Sequence, residues 1–600
     1  MQINFPHYKQ TIQCDPPCRV DEACAAAGHP LDRVCAGKGT CGQCRVLVRE
    51  KGLTLEVLGC QYPASDGMAI LISDDGRERQ ILTQSVQTDP LDFDPPVTCY
   101  PMVIGALNFS GAPAFLASMD QILPISLGCS DELALHQWYD AIRACPAPIV
   151  NAIVQGDDLI GLSANDEPLE ALGLAFDVGT TTIAGYLYDL VDGACLATAS
   201  AQNGQTAFGG DVISRIQAAS EGQMKPLRSA LFATLGGLVR DLCRQTGREP
   251  EAIIHAVYAG NTTMLHFLTG RDPSALGRAP FVSAVQDPVD FNFPTEAGRH
   301  SSASPAFHPA CRHHALPPLG GFVGSDTTAL LAALPRKPGI RLVIDLGTNG
   351  EIALGDGQRY TVASTACGPA LEGAGLTMGM RGTDGAIEAV TYPDGRFDCR
   401  VIGGGPALGL CGSGIVDAIA ALLDAGILRP DGAFLSEDDL TGETGVPHPL
   451  ANRFGHTADG VRCFTLLTPE ENPGGPAIVL TQKDIRAVQL AKAAIQAATL
   501  CLMEASGYTP DAVPDLYLAG AFGNYIRVAS AQKLGLIPAW PGTAVHPVGN
   551  GAGAGAVRCL LSQSEIARCE AIPGSTRHLA LTETPSFNDH FIRCTRFEAF

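Results

Sequence analysis

The chain lacks several features that would each have placed it. No apolar run reaches the roughly 18 residues needed to cross a bilayer, which argues against a membrane-spanning protein. The start, MQINFPHYKQ, has no basic stretch followed by an apolar one, so no secretory signal is expected and the cytoplasm is the expected compartment. Positive charge is in short supply: 40 Lys and Arg against 62 Asp and Glu leave a formal charge of −22. That argues against nucleic acid, whose phosphates need a basic surface, and against anionic membrane surfaces. There is no long polar low-complexity tract. With 46% hydrophobic and 17% charged residues, the composition is that of an ordinary globular protein.

What is present points to several domains. Six hundred residues exceed a single hydrophobic core, and 67 Gly with 42 Pro suit many tight loops between short elements. Twenty-one cysteines in a reducing compartment are not expected to form a disulfide framework and read as thiols, metal ligands or both. Composition shifts divide the chain into 1–87, 88–170, 171–560 and 561–600. The first segment carries seven cysteines up to Cys60 and ends in the apolar MAILIS (Met68 to Ser73). TDPLDFDPP (Thr88 to Pro96) is acidic, rich in proline and reads as a linker. Residues 97–170 match no motif, nor do the last forty or so.

From about residue 172 the texture is α/β, with apolar strands, glycine- and threonine-rich turns and helical patterns in alternation. LGLAFDVGTTTIAGYLYDL (Leu172 to Leu190) and GIRLVIDLGTNGEIALGDG (Gly339 to Gly357) both read as strand, Asp-x-Gly-Thr turn, strand. Two copies of one hairpin about 168 residues apart predict an internally duplicated fold. TQKDIRAVQLAKAAIQAATLCLMEAS (Thr481 to Ser506) predicts a long amphipathic helix opened by a Thr cap, followed by a strand in DLYLAGAFGNY (Asp515 to Tyr525).

CAGKGTCGQC sets Cys35, Cys41 and Cys44 in a C-x5-C-x2-C arrangement, with Cys60 following after fifteen intervening residues. Gly37, Gly39 and Gly42 let such a loop fold around a common centre. The spacing is close to the plant-type [2Fe–2S] pattern. A structural zinc site is the rival, though such sites usually pair two short cysteine knuckles, and uncoordinated thiols are a third reading. Cys14, Cys18 and Cys24 compete with Cys60 as fourth ligand, the blander reading being small buried or free thiols. Cys99, Cys367 and Cys411 are isolated and expected to pack as small hydrophobes.

FDVGTTT (Phe176 to Thr182) has the parts to hold a triphosphate: Asp177 to bind Mg²⁺ through water, Gly179 for close backbone approach, and donors on Thr180, Thr181 and Thr182. DLGTNGE repeats the design with Asp345, Gly347, Thr348 and Asn349. In LYLAGAFGN, Gly520 and Gly523, with Asn524 after them, would let an adenine or ribose lie on the backbone. One such motif alone is an ordinary strand turn; three in this order predict a nucleotide site. YAGNTTMLHFLTG (Tyr258 to Gly270) and ALGLCGSGIVDAIAALLDAG (Ala407 to Gly426) are further strand–helix junctions that either line the site or are tight-packing turns. His266 on the first is expected in the core.

These hairpins together with the adenosine strand resemble the actin, sugar-kinase and Hsp70 (ASKHA) superfamily, whose domain is ribonuclease H-like and duplicated. More closely, the chain resembles the ATP-dependent reductive activators of corrinoid proteins. The segments that carry the likeness include PLDRVCAGKGTCGQCRV, NGQTAFGGDVISRI (Asn203 to Ile216), GPALEGAGLTMGMRGTDGAIE (Gly368 to Glu388) and VGNGAGAGA. The resemblance implies an N-terminal β-grasp, ferredoxin-like [2Fe–2S] domain, a small middle domain and an ASKHA ATPase domain. It makes Cys60, in LGCQ, the fourth ligand beside Cys35, Cys41 and Cys44, although the gap from Cys44 is shorter than the family's usual loop. C-terminal Cys559, Cys569 and Cys594 are too scattered for the [4Fe–4S] site of other members.

On this resemblance the cluster passes one electron to a Co(II) corrinoid protein of a methyltransferase system, and ATP with Mg²⁺ makes the transfer favourable. Asp177 and Asp345 take the Mg²⁺–phosphate role, and Asp211 or Gln205 orients the attacking water. An upstream low-potential donor recharges the cluster, and a homodimer is one assembly open to the protein. Three rivals stay open: an activator of 2-hydroxyacyl-CoA dehydratases, a small-molecule kinase, and a non-catalytic electron carrier or scaffold.

Overall fold

The computed structural model describes the chain except residues 7–9, 28–30, 32–43, 51–52, 72–88, 145–146, 295–304, 348, 442–447, 521–522 and 524. Two units emerge. One is built from Met1–Ser73, Thr88–Leu334 and Ala552–Pro573, the other chiefly from Pro335–Gly551 and Gly574–Phe600.

At the N-terminus, β1 (Gln2–Phe5), β2 (Gln10–Gln13), α1 (Val20–Ala26), β3 (Arg45–Glu50), β4 (Leu53–Leu58) and β5 (Ala69–Leu71) form a sheet of order β2-β1-β5-β3-β4. The central pair β1–β5 is parallel and every other pair antiparallel. Val46 and Val48 face inward while Leu47 faces solvent, the period of two expected of a half-buried strand. Helix α1 lays Val20, Ala23 and Cys24 into the same core as Ile3, Phe5 and Ile70.

Residues 97–170, silent in sequence, make a module with its own core. β6 (Val97–Val103), α2 (Ala112–Asp120), α3 (Glu132–Ala144), β7 (Ile149–Gln155) and β8 (Asp158–Asn165) give a three-stranded antiparallel sheet with β7 in the middle. Phe115 and Met119 of α2 meet Leu135, Tyr139 and Ile142 of α3, which recur at helical spacing, and both helices pack on Val150 and Val154.

The rest of the first unit comprises β9 (Leu172–Val178), β10 (Thr182–Asp189), β11 (Cys195–Gln202), α4 (Val212–Ala218), α5 (Met224–Thr246), β12 (Ile253–Gly260), α6 (Thr262–Thr269), β13 (Val289–Phe291), β14 (Arg312–Ala315) and α7 (Ser325–Ala333). Its sheet runs β11-β10-β9-β12-β14-β13. The first three strands are an antiparallel meander, and β12 and β14 continue the sheet parallel to β9. Strand β12, IIHAVYAG, is buried along its whole length, as a parallel strand covered on both faces must be.

The second unit opens with β15 (Arg341–Leu346), β16 (Gly350–Gly355) and β17 (Tyr360–Thr365). Two small three-stranded sheets follow. One holds β18 (Ala386–Thr391), β19 (Asp398–Val401) and β20 (Gly409–Leu410). After α8 (Gly412–Asp424) and α9 (Glu437–Thr441), β21 (Phe454–His456), β22 (Arg462–Leu467) and β23 (Ile478–Thr481) form the other. Then come α10 (Gln482–Ser506), β24 (Asp515–Ala519), α11 (Val528–Leu534) and β25 (Ala544–Gly549). Helices α12 (Gly551–Leu561) and α13 (Gln563–Ala571) return the chain to the first unit, and β26 (Thr576–His578) and α14 (Phe587–Arg593) close the second.

The main sheet here is β25-β24-β15-β16-β17-β26. Its run β17-β16-β15-β24-β25 repeats β11-β10-β9-β12-β14 strand for strand: a meander, a long helix, then two strands parallel to the first. The duplication expected from the two hairpins therefore extends to the whole sheet. The expected Thr cap is also there. Thr481 Oγ accepts from Asp484 N–H at 3.2 Å, and the Asp484 carboxylate accepts from Thr481 N–H at 2.8 Å. Helix α10 is long and apolar enough to span a bilayer by composition, but 78% of its apolar 18-residue stretch is buried inside the protein, as in a core helix.

Candidate functional site

In the first unit, β9 carries Asp177 to the carboxyl end of the sheet, and β10 restarts at Thr182. The turn between them is held from behind at three successive carbonyls. Asn203 Nδ2 donates to Gly179 O at 2.9 Å, Arg215 to Thr180 O at 2.6 Å, and Asn203 N–H to Thr181 O at 2.9 Å. In a trans peptide the C=O and N–H point opposite ways. Tying the carbonyls to the scaffold therefore turns the N–H groups of Thr180, Thr181 and Thr182 to the other side, an arrangement that suits an anion. A Cβ at Gly179 would stand 2.5 Å from Thr182 O, so this position requires glycine for close approach.

Gln205 and Asp211, expected to orient water, are engaged elsewhere. Gln205 is fully buried; its amide donates to Leu227 O at 3.0 Å and its carbonyl accepts from Arg215 at 3.3 Å. Asp211 caps α4, accepting from Ser214 N–H at 2.8 Å. Both support the turn through Arg215 and α4, and neither role was visible in the sequence.

The junction at Tyr258–Gly270 joins this site through one residue. Asn261 caps α6 by accepting from Met264 N–H at 3.0 Å, and its Nδ2 donates to Thr180 Oγ at 2.9 Å. Beside it, Ser325 Oγ donates to Gly260 O at 3.1 Å and accepts from Gly260 N–H at 3.0 Å, which anchors the start of α7 at the end of β12. The next residue, Asp326, sits in the first turn of α7. Burial pushes its carboxyl up to about 6, against hydrogen bonds from Thr327 that favour the charged form. His266 is a satisfied core residue: Nδ1 lies 2.8 Å from Thr262 O, and Nε2 accepts from Ala284 N–H at 3.1 Å.

In the second unit, Asp345 occupies the matching place on β15, paired with Glu351 on β16 and Ala519 on β24. The turn is closed by Gly347 N–H donating to Asn349 O at 3.0 Å. Thr348 and Asn524 lie outside the described residues. Gly520 follows β24 at φ +92°, and a Cβ there would stand 2.8 Å from the Asp345 carboxylate, so the third motif lies directly against the second. At Gly523 a Cβ would press on the Ala519 backbone and Leu518. At the junction Ala407–Gly426 packing is tight: a Cβ at Gly414 would collide with the Ile387 carbonyl.

Of the four cluster cysteines, Cys35 and Cys41 lie outside the described residues. Cys44 and Cys60 are buried with their sulfurs 3.2 Å apart. Gly59 N–H donates to Cys44 O at 2.8 Å and Arg19 to Cys60 O at 3.1 Å, which fixes the pair. Cys24 instead sits in the core under α1, where burial pushes its thiol up to about 12. Cys18 is raised similarly, by burial and by its neighbour Cys14. All described cysteines are free thiols. Elsewhere Cys501, Glu504 and His590 bring ligand atoms within 4.8 Å of one another. Glu504 already binds His590 at 2.7 Å and Ser586 at 2.8 Å, so this group reads as a tether between α10 and α14.

Comparison with known proteins agrees with this architecture. Residues 339–599 match a family model described as the C-terminal, ASKHA domain of RACo, and residues 172–335 match one described as the RACo middle region. The chain is 42% identical over its full length to "Corrinoid activation enzyme RamQ" of Eubacterium limosum, covering 99% of that protein. It is 28% identical over 45% of its length to "[Co(II) methylated amine-specific corrinoid protein] reductase" of Methanosarcina barkeri, covering 48% of that protein. Among solved structures, "Reductive activator for corrinoid,iron-sulfur protein" superposes with a TM-score of 0.71 at 29% identity, covering 100% of this chain and 98% of that one.

Proposed function

Since the chain belongs to the family of ATP-dependent reductive activators of corrinoid proteins, we propose that it uses ATP to drive one electron into a Co(II) corrinoid protein, restoring Co(I) for methyl transfer. The observation that carries this reading is the full-length match to a corrinoid activation enzyme, joined to a turn whose three carbonyls are tied back so that its N–H groups can meet phosphate.

The N-terminal sheet supports a ferredoxin-like β-grasp domain within residues 1–87: two hairpins joined through β5, which runs parallel to β1 and antiparallel to β3, with a helix packed against the sheet. Its donor set fits a cluster, because two buried thiols already lie together while Cys24 is committed to the apolar core. Cys44 and Cys60 would hold a [2Fe–2S] cluster with Cys35 and Cys41; when bound, it supplies a one-electron carrier. Residues 88–170 serve as linker and middle domain and 171–560 as the ATPase.

In the ATPase, Asp177 and Asp345 hold Mg²⁺ through water. Gly179 to Thr182 and Gly347 to Asn349 bind phosphate, while Gly520, Gly523 and Asn524 bear the nucleoside. Asp326 accepts the proton of the attacking water once ionised, with Gln205 and Asp211 positioning the turn. Reducing Co(II) from a physiological donor is uphill, about tenfold in equilibrium for each ~59 mV of a one-electron couple. ATP offsets that gap only by favouring one conformation of the complex over another. The partners are a Co(II) corrinoid protein and an upstream low-potential donor, in the cytoplasm, with a homodimer as the proposed assembly.

The test is to mix anaerobically reduced protein with a Co(II) corrinoid protein and follow Co(I) absorption with and without Mg·ATP. Co(I) formed only with ATP, and lost in Asp345→Ala with its cluster spectrum intact, is the expected result. ATP hydrolysis without Co(I) would direct the electron to another acceptor and overturn the assignment.

A further inference from the structure

Arg215 is among the largest fully buried side chains of the protein. Its guanidinium meets Gly209 O at 2.9 Å, Thr180 O at 2.6 Å, Gln205 Oε1 at 3.3 Å and the Met264 sulfur at 3.8 Å. It makes no ion pair among the described residues. Asp211 is the carboxylate whose charge acts on it, and that carboxylate is committed to capping α4. Burial lowers the guanidinium only to about 9, so it stays charged at neutral pH. A buried charge with no ion-pair partner in contact is costly, and folds keep such charges where something completes the pair.

The position of this charge is informative. It grips the carbonyl of Thr180, and the other side of that same peptide presents the Thr181 N–H in the phosphate turn. A cation bonded to a peptide oxygen polarises the peptide and strengthens its N–H as a donor. Gln205 and Gly209 hold the guanidinium from two further directions, so its charge is fixed before any ligand arrives. We propose that Arg215 is the built-in countercharge of the nucleotide's phosphates, acting through the Thr180–Thr181 peptide as a positioning residue. This deepens the nucleotide reading above and rests on it.

The experiment measures the affinity of the cluster-loaded full chain for Mg·ATP and for adenosine, with thermal unfolding of the nucleotide-free protein as the control for folding. Arg215→Gln keeps hydrogen-bond donors and removes the charge, whereas Arg215→Lys keeps the charge but gives up the planar fork that reaches several acceptors at once. Expected is a loss of about tenfold or more in ATP affinity for Arg215→Gln, adenosine affinity within twofold, and recovery of most of the ATP loss in Arg215→Lys. Equal losses for ATP and adenosine in both variants would make Arg215 a scaffold only and overturn the proposal, as would no loss in either. Asp211→Asn gives an independent check, because Asn also caps helices while the negative charge facing Arg215 is gone. ATP affinity should rise about threefold with adenosine unchanged, and an unchanged or weaker ATP affinity overturns the proposal. Wild-type protein that binds neither compound would instead defeat the nucleotide reading itself.

Discussion

Replacing Gly179 by Ala perturbs the turn proposed to bind phosphate with a single methyl. The added carbon would stand 2.5 Å from Thr182 O and 3.6 Å from Thr182 C. Ordinary C···O contacts are about 3.3 to 3.6 Å, so the turn must open by about 1 Å. It cannot do so alone, because the carbonyls of residues 179, 180 and 181 are tied to Asn203 and Arg215. The N–H groups on the far side move instead. A misplacement of about 1 Å costs on the order of 10²-fold in rate, whereas overpacking of this kind costs folding about 1 to 3 kcal/mol. ATP hydrolysis and ATP-dependent Co(I) formation should therefore both fall about 100-fold in kcat/KM, with the visible cluster spectrum and cooperative unfolding retained. A folded Gly179→Ala protein hydrolysing ATP within about threefold of wild type would refute the reasoning, since that outcome requires the turn to have no part in phosphate binding.

Other outcomes follow from the same geometry. Cys60→Ala should lose the cluster absorption and Cys24→Ala keep it; the reverse pattern, read by visible and EPR spectra, would move the fourth ligand to α1. ATPase activity should rise as pH climbs through about 6 while Asp326 ionises, and Asp326→Asn should remove that limb along with most of the rate; a variant with an unaltered pH profile would clear Asp326 of any base role. His314 governs stability rather than turnover. Burial disfavours its charge, but its hydrogen bond to Asp290 at 2.7 Å and its contact with Glu570 at 3.1 Å outweigh that and raise it from 6.5 to about 9. The folded value being raised, the stabilisation is complete below about 6.5 and lost as pH rises through about 9. Its ceiling is about 3 kcal/mol at 1.36 kcal/mol per unit. Denaturant unfolding from pH 6 to 9.5 should show that loss in wild type and a flatter profile in His314→Gln.

Several features were legible because they depend on residues near in the chain. Both Asp-x-Gly-Thr turns announce themselves by apolar strands on either side, and the strand pairing of Asp177 with Ala184 and of Asp345 with Glu351 is what those hairpins require. Thr481 and Asp484 cap α10 from three residues apart. Residues 97–170 stayed silent since a module of two helices and three strands needs no glycine-rich motif, only helical spacing and a core shared between distant strands. The exact end of a strand was not legible: within DLYLAGAFGNY, β24 ends at Ala519, where Gly520 turns to positive φ.

By itself the sequence determined the duplicated α/β architecture, the place of the acidic residues at the strand turns, and the family. These rest on periodicity, backbone freedom at glycine and motif order, which are properties of short stretches. Only the tertiary structure decided that Asn203, Arg215 and Asn261 hold the turn at residues 179–182, from 24, 35 and 81 residues away from their partners in it. It likewise set Cys60 beside Cys44, placed Cys24 in the apolar core of α1, and gave Gln205 and Asp211 their supporting bonds. A buried polar group must find a partner wherever packing brings one, and that choice is made by the fold as a whole.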